Sequence, residues 1–96
     1  MRGAPKTLLV RGRRWKRRDP PDIPEVHQET PALLGLCDYD TRTLYMPGTP
    51  RTEDELDTVI HEIIHACTEL DEQAVSETAE TLSGYLWRLG WRSPPQ

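Results

Sequence analysis

His61-Glu62-Ile63-Ile64-His65 lies inside a run, residues 59–67, that is otherwise almost wholly apolar and reads as helix. Four positions on a helix are slightly more than one turn, so His61 and His65 lie one above the other on the same face. Leu56, Ile60, Ile63 and Cys67 recur at three- and four-residue spacing, and Val59 and Ile64 widen that face. An imidazole embedded in such a surface is costly unless something satisfies it. The chain must therefore fold so that a partner reaches this turn. A metal ion is the most economical one: two stacked imidazoles suit Zn²⁺, with Glu62 beside them to take a proton from a zinc-bound water.

The helix that carries the pair has a legible start. Thr52-Glu53-Asp54-Glu55 is a capping box, in which Thr52 accepts from the Glu55 amide and Glu55 reaches back to the Thr52 amide. Three acids in the first turn suit the positive end of the dipole, and the spacing predicts helix over 53–68. Asp71 then caps a second helix over 72–89, whose buried stripe is Val75, Ala79, Leu82, Leu86 and Leu89. Gly90 is placed to end it in left-handed conformation.

A catalytic zinc takes three protein ligands and keeps one position open. Glu69 is two helical turns past His61 and too far along the axis to share its ion. On the second helix, Glu72 falls about 60° from the centre of the apolar stripe, toward the first helix, whereas Glu77 and Glu80 point to solvent at 100° per residue. Glu72 is the first candidate and Glu77 the second, since a steep crossing would spoil the angles. Glu72 is equally explained as a first-turn acid that stabilises the dipole. His27, in a loop between prolines, reads as an exposed histidine rather than a distant ligand.

Upstream the chain is strand-like. Residues 7–17 suggest one strand with Leu8, Leu9, Val10 and Trp15 as its apolar positions and Gly12 as a bulge or break. The proline-rich residues 19–24 read as a stiff linker. Residues 32–37 look like a short buried strand, 38–42 a turn and 43–46 a returning strand, which together make a hairpin. Tyr39 and Tyr45 fit packing roles, with the cleft as the alternative. Ninety-six residues make a single small domain, and the expected fold is α+β: a small sheet packed on two helices.

Charge divides the chain unevenly. Residues 1–18 hold eight basic side chains and no acid, while all sixteen carboxylates lie from Asp19 onward against four arginines. The first eighteen residues read either as a nucleic-acid arm or as a basic strand that is solvated or rests on the acidic body. No run is long and apolar enough to cross a bilayer and no secretory leader is visible, so a cytoplasmic protein is expected. Cys37 and Cys67 read as reduced thiols, Cys67 as a packed one.

At His61-Glu62-Ile63-Ile64-His65, followed by a glutamate on the next helix, the chain resembles the zincin metallopeptidases. More narrowly it resembles the gluzincin type, including the minigluzincins and the short His-Glu-x-x-His proteins of phages and bacteria. The resemblance covers roughly residues 32–91. It implies a zinc metallopeptidase acting on a peptide or protein substrate, with His61, His65 and Glu72 holding zinc and Glu62 as the base. It also implies an edge strand, by order residues 43–46, that pairs with extended substrate. Two other expectations stand beside it. One is a non-enzymatic zincin-like scaffold whose basic arm binds nucleic acid or an acidic partner. The other is a latent protease whose N-terminal segment covers the cleft.

Overall fold

The computed structural model describes residues 4–28 and 33–94. The basic N-terminal segment is two strands rather than one: β1 (Thr7–Val10) and β2 (Arg13–Arg18) pair antiparallel. Gly12 is neither bulge nor break but the second residue of a two-residue turn. Arg11 and Gly12 both have positive φ, 50° and 82°, as a type I′ turn requires. Left-handed backbone at an arginine costs about 1 kcal/mol, which is why the sequence did not advertise a turn there.

Beyond β2 the proline-rich segment is more than a spacer. Two 3₁₀ turns, Pro20–Asp22 and Glu25–His27, bury Ile23, whose carbonyl accepts from Gln28 Nε2 at 2.7 Å. The expected strand over 32–37 is shorter and later: β3 covers Leu36–Asp38, and Leu34 is 74% exposed. Ala32 lies outside the described residues. Asp38 Oδ1 accepts from the amides of Asp40 and Thr41 and turns the chain into β4 (Thr43–Tyr45). Arg42, with φ 50°, takes the left-handed position just before β4.

The four strands form one mixed sheet in the order β1-β2-β4-β3, with β2 and β4 parallel. Residues 43–46 are therefore not an edge: β4 runs between β2 and β3, and Thr43, Leu44 and Tyr45 are all buried. The edge strand beside the helices is β3. One face of the sheet presents Val10, Trp15, Leu44 and Met46 to α1 (Glu53–Cys67), where Ala66, Val59 and Ile63 complete the core.

Thr52 caps α1 as expected, accepting from the Glu55 amide at 3.1 Å. The return bond is displaced by one residue: Glu55 Oε1 accepts from the Arg51 amide at 2.6 Å. Leu56, Glu62 and Ala66 are the most buried residues of α1, and Cys67 is exposed rather than packed. The sheet sits against the flank that carries Ala66, which turns Cys67 outward. Residues 68–71 then reverse the chain, and Asp71 caps α2 (Glu72–Arg88) by accepting from the Ala74 amide at 2.9 Å.

Helix α2 runs back antiparallel to α1, bringing Gly84 near Glu53 at the far end. Its most buried row is Val75, Ala79 and Ser83; Leu82 and Leu89 are exposed. Small side chains at Ala79 and Ser83 allow close approach of the helices, and the contact follows that four-residue row. The end is a Schellman motif: Gly90, at φ 95°, donates to the Trp87 carbonyl and Trp91 to that of Leu86. Ser93 Oγ donates to the Pro50 carbonyl at 2.6 Å, which ties the segment after α2 to the chain just before α1; residues 95–96 lie outside the described residues. No helix of the described residues is long and apolar enough to cross a membrane.

Candidate metal centre

The short turn between the helices decides where Glu72 goes. As the first residue of α2, it is folded back over the last turns of α1, and its carboxylate meets both histidines. Glu72 Oε1 lies 2.9 Å from His61 Nε2, and Oε2 lies 2.7 Å from His65 Nε2. The two imidazole centroids are 4.8 Å apart, the separation set by four-residue spacing on one helical face. One ligand atom from each of the three residues lies within 4.8 Å of the others. Glu77 does not join them; it accepts from Gln73 on the outer face of α2. Glu80 is exposed, and the His27 ring lies 3.8 Å from Asp38.

Glu62 lies in the wall beside these three, 8% exposed. Burial, and then the charge of Glu72, push its carboxyl up from the ordinary 4.5 to about 7. Gly35, leading into β3, presses its backbone against the same carboxylate. A Cβ added there would sit 2.9 Å from Glu62 Oε2, 2.8 Å from Thr58 Cγ2 and 2.9 Å from the Tyr45 carbonyl. Only glycine fits.

These residues share a cavity of about 620 Å³, whose opposite wall is Leu33 through Cys37 and Tyr39. The Tyr39 hydroxyl donates to the His65 carbonyl, pinning the end of α1 to the β3–β4 turn. Cys37 is a protonated thiol at neutral pH, since burial pushes it up to about 11. None of residues 4–28 lines this cavity, so the N-terminal segment expected by one reading to cover the cleft is instead two strands of the sheet.

Asp57 is a site residue that the sequence reading missed. It lines the same cavity one turn before His61, and its Oδ1 is buried without a hydrogen-bond partner among the described residues. Burial raises its pKa, partly offset by His61. The four-residue spacing from Asp57 to His61 was the available signal.

The donor set fits a zinc ion. Two imidazole nitrogens and a carboxylate oxygen are its usual ligands in open, three-ligand sites. Without a cation the same contacts need both imidazoles to present an Nε2–H to one carboxylate. Compared with protein-family models, curated proteins and solved structures, the chain matches none.

Proposed function

We propose that this chain is a zinc-dependent metallopeptidase of the gluzincin type. The observation that carries the reading is the convergence of His61, His65 and Glu72, whose ligand atoms lie within 4.8 Å of one another, with buried Glu62 in the adjoining wall. His61, His65 and Glu72 would hold the ion. Zinc, when bound, supplies Lewis acidity toward a water molecule and the scissile carbonyl. Every proton movement belongs to Glu62: it accepts one from the attacking water and passes it to the leaving amine. Substrate binding falls to β3, an edge strand in the cavity wall whose outer side has no strand partner among the described residues. An extended peptide can add there by main-chain hydrogen bonds.

Glu62→Gln is the test. The amide keeps the shape and cannot take the proton, so the variant should retain zinc and lose about a hundredfold or more of its peptide hydrolysis. Retained zinc with unchanged cleavage of a fluorogenic peptide pool would contradict the mechanism.

The exposed Arg13, Arg14, Lys16 and Arg18 of β2 favour a second reading, a non-enzymatic scaffold that binds nucleic acid. Its sign would be salt-sensitive oligonucleotide binding that depends on residues 11–18, with no peptide cleavage.

A further inference from the structure

A second cavity, of about 590 Å³, opens on the other side of Tyr39 from the metal centre. Arg11, Arg13 and Arg42 line it together with Trp15, Tyr39 and a single carboxylate, Glu69. Of the other arginines, Arg17 is engaged with Asp19 and two carbonyls, Arg18 with Asp22 and Arg92 over Trp87, while Arg51 and Arg88 have no side-chain partner among the described residues. The three in the cavity have no ion pair and no side-chain hydrogen bond among the described residues.

Two of them occupy backbone positions that disfavour arginine. Among the described residues, Arg11 and Arg42 are the non-glycine residues with positive φ; they come from different turns, and both turns deliver the side chain to the same cavity. Local folding alone would put Asn or Gly at each. The strain is explained if the guanidinium groups are needed where they are.

The position relative to the metal centre indicates what they meet. Strand β3 runs from the metal cavity, where Gly35 to Cys37 form the wall, into the turn that ends in Arg42. Tyr39, the residue that follows β3, lines both cavities, so a peptide that lies along β3 and continues past Asp38 comes to the Tyr39 side of the arginine cavity. Guanidinium forks match carboxylates in bidentate geometry. A nucleic acid laid across both cavities would also bring a continuous run of negative charge against Asp57, Glu69 and Glu72, carboxylates that line them beside the arginines. A peptide carries its acids only where the arginines are.

We propose that the Arg11–Arg13–Arg42 cavity receives acidic side chains of the peptide bound along β3, making the enzyme selective for substrates with Asp or Glu to one side of the cleaved bond. Its role in substrate choice rests on the peptidase reading; the binding itself is measured independently of cleavage.

The experiment uses the zinc-loaded full chain, a fluorescein-labelled oligopeptide rich in Asp and Glu, and its Asn/Gln counterpart. Binding is read by fluorescence polarisation and cleavage by mass spectrometry. The acidic peptide should bind at least about tenfold tighter than the neutral one. Arg11→Asn with Arg42→Gly should erase most of that preference while leaving Tm equal or higher, because both replacements relieve left-handed strain. Equal affinity for the two peptides would overturn the proposal, as would an unchanged preference in the double variant. So would a lower Tm, which would make the arginines supports of the fold, or displacement of the acidic peptide by oligo-dT at lower concentration than by unlabelled peptide. Selective binding without any cleavage would uphold the acidic site and count against the peptidase. Equal kcat/KM on both peptides would do the reverse.

Discussion

Glu62 is the base of the proposed mechanism, and its environment makes a prediction that does not depend on finding a substrate. Its carboxyl is raised to about 7 in the folded, metal-free chain and returns to 4.5 on unfolding. Between those values the folded protein holds a proton that the unfolded chain has lost. Stability from this group is therefore fully present below pH 4.5 and falls as pH rises through 7, by about 3 kcal/mol. Urea denaturation in chelator should show the wild type less stable at pH 8 than at pH 5, and Glu62→Gln should remove most of that slope. A cation beside Glu62 favours its charged form, so zinc loading should flatten the slope as well. A metal-free wild type equally stable at both pH values would mean that Glu62 is not held in this environment. At this scale much of the site was legible. The His61–His65 spacing put two imidazoles on one face, and a helical-wheel angle singled out Glu72 over Glu77. Arg11 and Arg42 were illegible as turn residues, because turn signals rest on Gly and Asn, and these positions set local preference aside.

The elements position the site through close approach at one point, where the residue leading into β3 meets α1. Gly35→Ala would place a methyl 2.9 Å from the Tyr45 carbonyl, which is backbone and cannot swing away. The expected cost is about 2 kcal/mol, seen as a lowered Tm, with β3 displaced from Glu62. An unchanged Tm would mean that the strand does not sit against the helix as described. The helices themselves were readable from their caps, since Thr52 and Asp71 each bond the amide three residues on. Their buried faces were read less well. Periodicity locates an apolar stripe, but the neighbouring layer decides which row of it is covered, and so Ala66 and Ser83 are buried while Cys67 and Leu82 are not. The strand order was beyond reach for a related reason. Parallel pairing of β2 with β4 joins segments separated by the whole proline-rich stretch, and nothing local records it.

Across the whole molecule, the small sheet, α1 and α2 are arranged around one demand: two imidazoles on an apolar helix must be satisfied, and Glu72 is folded back to meet them. Zinc held there would add to folding stability, since the unfolded chain offers no such site. The basic hairpin, for its part, is built into the sheet and not extended from an acidic body. The most direct test of this account is the metal content of untagged protein, by mass spectrometry, with His65→Ala purified beside it. One zinc per wild-type chain, lost in the variant together with part of its thermal stability, is the predicted result. No metal in either protein, and equal stability of the two, would contradict it and leave the histidines as hydrogen-bond partners of Glu72 alone.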